Sequence, residues 1–381
     1  MKKNLQFWLE YFFNTSNATK SRLAWVDYAK GIALILVAYR HILIGFERAG
    51  LPIHISLLKA NEMFFSFRMP LFFILSGVFI SHSLSKRGWI KLIKIKWETL
   101  LYPYLLWCII QITLQIIFSK YTNADRTFRS YAYILTNPDA LDQMWYLFAL
   151  FNVSVVYIIL KSKARLNIWT QLIIGIISYY LSTIFNHGPI REFLYFYPYF
   201  TLGDLISKYL LDKKYYKIYS SNALFLVLLP FFVISQWYFL RHEEIEYKNI
   251  FIFSAIALIG CAFMLNICFK LANDNKLIFL KIVGFHSLYI YILHVSIAFA
   301  LRLLLSNVLG INNTIILLII NLPVAIIISI IIYNIIVRNG GWYLFVLNKE
   351  RINKTLIYDK IMSTSIIQNI TKEINKEKIE I

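Results

Sequence analysis

Cysteine is almost absent: three in 381 residues, with no CxxC spacing and no histidine beside any of them. That removes a disulfide framework and a thiolate metal site, and Cys108, Cys261 and Cys268, each inside an apolar run, read as small buried hydrophobes. Acidic residues are also few, 20 against 39 Lys and Arg, for a formal charge of +19. Gathered in one patch, such a surplus would suggest nucleic acid. Here the bases lie between apolar runs, so no nucleic-acid partner is expected. Pro-, Gly- or Ser-rich linkers are missing and no inverted repeat of the transporter kind is visible, which points to a single integral-membrane domain. The segment before residue 25 lacks the small-residue cleavage site of a signal peptide and reads as an amphipathic cytoplasmic lead.

Hydrocarbon fills the chain instead. Hydrophobic residues make up 59% and charged ones only 15%. About ten stretches approach the length that crosses a bilayer: 29–46, 63–81, 99–118, 145–160, 168–185, 192–207, 222–240, 249–269, 282–304 and 313–337. Every second connection is basic, from Lys20 and Arg22 before the first run to Arg338, Arg351 and Lys354 after the last. By the positive-inside rule both termini are then cytoplasmic and the number of spans is even. The expected fold is an all-α integral-membrane bundle of about ten transmembrane helices in the plasma (inner) membrane. A cytoplasmic lead over 1–24 precedes a membrane domain over 25–340, and a polar cytoplasmic tail over 341–381 follows with no soluble catalytic domain appended.

Lipid makes ionisable groups expensive, so those inside the runs are functional candidates. In the first run Lys30 and His41 are eleven residues apart, which returns to within about 20° of one helical face with ~16 Å of rise between them. Asp27 falls near the same face. In the second run Arg68 must meet a polar cavity or an anion, or else snorkel to the interface or pair with Glu62; Pro70 bends the helix there. The basic stretch with Lys91, Lys94 and Lys96 enters the third run, suited to anionic lipid head groups or to a phosphorylated cytoplasmic cofactor. Asp142 and Trp145 stand at the outer edge of the fourth run, where an aromatic belt also accounts for the ring. Ser287, Tyr291 and His294 share a helical face in the ninth, as a polar wall or as packing. Arg191-Glu192 and Gly203-Asp204 read as interfacial, Arg241 to Glu246 as solvated, and His54, His82, His187 and His286 as outside the chemistry.

Taken together, Asp27-x-x-Lys30-Gly31-Ile32 with His41 beyond it, Phe67-Arg68-Met69-Pro70-Leu71-Phe72-Phe73 with Ser76-Gly77, Trp145-Tyr146-Leu147, and Ser287-Leu288-Tyr289 leading to His294 resemble the acyltransferase-3 family of integral-membrane acyltransferases. The resemblance covers roughly residues 22–337. It implies a bundle of about ten helices that takes an acyl group, usually acetyl, from acyl-coenzyme A and passes it to a hydroxyl of a surface glycan or lipid-linked sugar. By position His41 matches the family's essential histidine, Arg68 the charged residue of the second motif and His294 the late histidine. Lys30 stands where many members have Arg. The sequence departs from the pattern in having Arg40 beside His41 and no acid in the ninth or tenth run to orient an imidazole.

Transfer from a thioester to an alcohol needs a base for the hydroxyl and positive charge for the developing oxyanion. His41 is the expected base or acylated nucleophile, and Arg68 the expected oxyanion stabiliser. Lys30, Lys91, Lys94 and Lys96 are assigned to acetyl-CoA binding, with no metal. Asp142, Trp145, Tyr291 and His294 are assigned to the acceptor. The partners are then acyl-coenzyme A, a glycan or lipid-linked sugar, and membrane lipid, with homo-oligomerisation left open. The rival class is a polysaccharide transporter or exporter, or an acyltransferase-like subunit of a polysaccharide-synthesis machine.

Overall fold

The structure, a computed structural model, describes residues 2–19, 23–119, 126–185 and 188–350. Lys20, Arg22, His187, Arg351, Lys354 and the rest of the tail beyond 350 lie outside the described residues. Those described form helices and turns with no strand among them. This is what a chain must do in hydrocarbon, where every backbone donor and acceptor has to be satisfied within its own segment. After α1 (Lys2–Phe13) come α2 (Ala24–Arg48), the short helix Ile55–Met63 and α3 (Phe65–Val78). Next are α4 (Tyr102–Ile117), α5 (Trp145–Ser162), α6 (Ile168–Leu181), α7 (Pro189–Leu210) and α8 (Asn222–Arg241). The bundle closes with α9 (Ile250–Asp274), α10 (Ile278–Phe285), α11 (Ser287–Leu303) and α12 (Thr314–Arg338). Side chains of Asn167, Ser221, Asn249 and Asn313 accept from first-turn backbone N–H groups and set where α6, α8, α9 and α12 begin.

All ten apolar runs fall on helices. Eight helices among the described residues are long and apolar enough to cross a membrane, so the chain is a multi-pass helical membrane bundle. The fifth run is a shorter helix, Ile168–Ile184. The sixth, α7, is long but polar, and its neighbours shelter it: Glu192, Tyr197, Thr201 and Asp204 are all buried. Asp204 is buried within the bundle. It accepts from the Tyr157 hydroxyl at 2.5 Å and pairs with Lys161, which also reaches Ser81, so one polar knot ties α5, α7 and the extension of α3. The ninth run is interrupted: α10 ends and α11 starts at His286. The buried His286 ring donates to the Ile282 carbonyl at 2.9 Å and accepts from Asn334 of α12 at 3.2 Å, a structural role.

The α2 helix is buried through small and large residues alike: Ala29, Ala33 and Ala38 are fully covered, and so are Tyr28 and Leu34. Two glycine pairs bring backbones closer than any side chain allows. A methyl on Gly31 would lie 2.1 Å from the Leu280 carbonyl oxygen, and one on Gly284 would lie 1.7 Å from that of Asp27. The same occurs between α3 and α7, where methyls on Gly77 and Gly203 would lie 2.0 Å and 2.1 Å from the carbonyl oxygens of Phe200 and Ile74. Such close approach maximises packing where no hydrophobic force drives helix association. Past α12 the chain stays with the bundle: the indole of Trp107 donates to the Leu344 carbonyl at 2.7 Å, and Phe345 is buried. At its other end α1 lies along α12, with Asn334 donating to the Phe12 carbonyl and Arg338 to that of Glu10.

Gly77→Ala forces backbone apart at a helix crossing and should destabilise the protein by about 1–3 kcal/mol. Gly45→Ala, where a methyl meets nothing within 4 Å, should change stability by no more than about 0.5 kcal/mol. Thermal unfolding of the purified protein in one detergent compares the two. Equal effects would refute the close-packing account.

Candidate active site

His41 lies two-thirds along α2, and its ring packs edge-on to that of His294 from α11 with centroids 5.5 Å apart. The sequence placed these two imidazoles in different runs, and the fold joins them. His294 is fully buried. Its Nδ1 lies 2.9 Å from the carbonyl oxygens of both Ile290 and Tyr291. Carbonyls only accept, so Nδ1 carries the proton and Nε2 keeps its lone pair, buried with no hydrogen-bond partner. The backbone therefore does for His294 what an acid would do elsewhere. Tyr291 joins the group, 6.2 Å from the His294 ring and 5.4 Å from that of Tyr146.

A polar cavity of about 400 Å³ opens beside His41. Arg68 from α3 lines it while only 2% exposed, and among the described residues it forms no ion pair with Glu62. Its Nη1 donates to the Leu36 carbonyl at 3.1 Å and to Asn61 at 2.9 Å, and Asn61 in turn donates to Glu62 at 2.9 Å. Nη2 is buried and unpartnered. Arg40, adjoining His41, approaches one ring with Arg68: both guanidinium groups lie over Phe65, at 5.0 Å and 5.5 Å. Four arginines and four carboxylates line this cavity, the acids being Asp139, Asp142, Glu192 and Glu246. Arg48 binds Asp142 at 2.5 Å and Arg191 binds Glu192 at 2.8 Å, whereas Arg40 and Arg68 form no ion pair among the described residues. Two cations are thus left for a ligand.

A second cavity of about 350 Å³, largely apolar, lies on the other side of His41. His41, Ile44, Arg48 and Asp142 line both. The Asp142 backbone is strained, with φ 54° and ψ −119°, at a kink within the turn Pro138–Met144 that leads into α5. A non-glycine residue held there costs of order 1–3 kcal/mol and persists only where surroundings enforce it. Here Arg48 and Gln111 grip the carboxylate, the latter at 3.3 Å.

Of the residues singled out from sequence, His41, Arg68, Asp142, Trp145 and Tyr291 line the polar cavity, and His294 touches His41. Lys30, Lys91, Lys94 and Lys96 line neither cavity. Lys96 instead lies within electrostatic reach of Lys30 and Arg87, a cationic cluster at the opposite end of α2, while Lys91 and Lys94 are exposed. Three groups go beyond the sequence reading. Arg191 and Glu192, read as interfacial, line the polar cavity, and Glu246, read as solvated, lines it too. Arg241 to Glu244 are exposed as expected. A charged pair opening a run of mixed polarity was the one available signal for Arg191 and Glu192. Nothing local marked Glu246.

A multi-pass helical membrane protein that keeps an imidazole pair and unpaired arginines in its interior is the class these features define. The chain belongs to the acyltransferase-3 family, whose model, described as an acyltransferase domain, matches residues 23–334. It is also similar to nodulation protein NolL of Mesorhizobium japonicum, 25% identical over 192 residues, which are 50% of this chain and 49% of that protein. The chain thus spans about half the length of this curated relative. No solved structure matches.

Glu246 lies in the connection between α8 and α9, and burial pushes its carboxyl up to about 7, against the pull of Arg191 and Arg40 and with the push of Glu62. The folded state then holds this proton at a pH where the unfolded chain, near 4.5, has lost it. Its contribution favours folding at low pH, falls as pH rises to about 7 and is constant above. Wild type should lose on the order of 1 kcal/mol more than Glu246→Gln between pH 5 and pH 8, allowing for part exposure. Denaturation in detergent at both pH values measures it, and identical losses would disprove the assignment.

Proposed function

We propose that this protein is a membrane acyltransferase that moves an acyl group, acetyl by family resemblance, from acyl-coenzyme A to a hydroxyl of a cell-surface glycan or lipid-linked sugar. The observation that carries the reading is the pairing of His41 with His294 beside a cavity lined by Arg40 and Arg68, which form no ion pair among the described residues. His41 takes the proton of the acceptor hydroxyl as its oxygen attacks the thioester carbon. Arg68, with Arg40 near, stabilises the negative charge on the carbonyl oxygen. The carbon–sulfur bond then breaks, and the thiolate leaves with the proton from His41. His294, with Nε2 bare beside the His41 ring, leaves an acceptor for an N–H or O–H group that enters the site. Trp145 and Tyr291 supply ring faces for a sugar, and the carboxylates Asp142, Glu192 and Glu246 supply acceptors for its hydroxyls.

The basic cluster of Lys30 and Lys96, with Lys91 and Lys94 nearby in sequence, suits the phosphates of the coenzyme. Helix rise separates Lys30 from His41 by ~16 Å, a span for an extended pantetheine arm. In this reading residues 25–340 form the catalytic unit of a plasma (inner) membrane protein. Both termini and the Lys30 end of α2 face the cytoplasm, so the polar cavity faces outward.

With purified protein and radiolabelled acetyl-CoA, His41→Ala should reduce glycan acylation by at least about 10²–10⁴-fold while the protein inserts and melts normally. Arg68→Gln should lower kcat by about 10²-fold. Lys30→Gln should act mainly through the donor KM. Turnover retained in His41→Ala would end the proposal, and a loss of kcat alone in Lys30→Gln would remove that residue from the donor site.

A further inference from the structure

The apolar cavity beside His41 is unused by the mechanism above. Ile42 and Phe46 of α2, Leu114 and Phe118 at the end of α4, and Val295 and Phe299 of α11 form its walls. Its volume of about 350 Å³ equals roughly a dozen water volumes, far more than an acetyl group fills. Yet a cation stands in it. Arg302 is 6% exposed, has a buried Nη2 with no partner and lies over the Phe299 ring, at 5.2 Å. Among the described residues it forms no hydrogen bond and no ion pair, and the one carboxylate lining this cavity, Asp142, is taken by Arg48. Asn321, fully buried in the same wall, donates to the Ala298 carbonyl at 3.0 Å and leaves Oδ1 unpartnered. A guanidinium in such surroundings is costly until an anion meets it.

The geometry points to a lipid phosphate. We infer that the apolar cavity holds the hydrocarbon tail of the acceptor, with its phosphate at Arg302 and Arg48, so that the acceptor is a sugar carried on a lipid phosphate. Resting on the proposed acyl transfer, this chooses between the two acceptor classes left open there. Two observations favour it over the donor's own acyl chain. The cavity carries an unmatched positive charge, which an uncharged acyl chain leaves uncompensated. It also meets the polar cavity along His41, Ile44, Arg48 and Asp142, so one amphipathic molecule lays its tail in one and its sugar in the other, its anionic linkage at the shared Arg48. His41 then faces the sugar from the wall between them.

The test compares two acceptors with the full-length protein: lipid-linked oligosaccharide from host membranes, and the same oligosaccharide released by mild acid. Wild type should show kcat/KM at least about tenfold higher for the lipid-linked form, a difference of about 1.4 kcal/mol. Arg302→Gln, which removes the charge, and Ala298→Leu, which fills the cavity, should each bring that ratio towards one. Independently of any variant, dodecyl phosphate should inhibit the wild type competitively against the lipid-linked acceptor where dodecyl maltoside does not. Equal use of both acceptors by wild type overturns the inference and leaves acyl transfer standing. So does an unchanged ratio in both variants, or an Ala298→Leu effect confined to dodecanoyl-CoA as donor, which would give the cavity to the acyl chain. Transfer to neither acceptor overturns the underlying reading, and this one with it.

Discussion

An arginine inside a helical membrane bundle can neither shed its proton nor be hydrated, so the structure around it has to answer its charge. Arg68 sets that condition here. Two of its demands are met by the Leu36 carbonyl and Asn61, and a third, at the buried Nη2, has no hydrogen-bond partner. Much of the neighbourhood follows from accommodating this group. The short helix Ile55–Met63 is held where Asn61 can reach it, and Tyr39 pins that helix by donating to the Leu57 carbonyl at 2.8 Å. The polar helix α7 brings Arg191 and Glu192 to the same cavity.

The arrangement is open to chemistry because satisfaction is incomplete in a patterned way. Peripheral charges are paired, Arg48 with Asp142 and Arg191 with Glu192. Those nearest His41 are not. A bundle built only for stability would pair or remove such groups, since an unmatched buried charge costs several kcal/mol. Unpaired donors next to a neutral imidazole pair form a preorganised place for charge that develops on a substrate. The strained backbone of Asp142, gripped by Arg48 and Gln111 at the seam of both cavities, belongs to the same pattern.

How much of this could be read beforehand depended on range. Hydropathy is a local property, and each of the ten apolar runs is helical. A charge inside an apolar run is equally local, which is why His41, Arg68 and His294 stood out. The break at His286 was missed because the residues that satisfy it, Ile282 and Asn334, include one from another helix. Glu246 was missed for the same reason: its surroundings are Arg191, Arg40 and Glu62, drawn from three distant parts of the chain. That Arg191 and Glu192 line a cavity was not legible because nothing in their own segment says which helices α7 meets.

The order of residues by itself determined the material: a helical membrane chain, a stripe on the first helix with Lys30 at one end and His41 towards the other, and costly ions at a few named positions. Only the tertiary structure decided which of those ions meet. Gly31, Gly77, Gly203 and Gly284 allow backbones to touch, and that close packing brings His294 to His41, leaves Arg68 without a carboxylate and divides the space around them into a polar and an apolar cavity. The physical reason is that burial, pairing and cavity shape are properties of neighbours in space, and in a bundle those neighbours come from helices hundreds of residues apart.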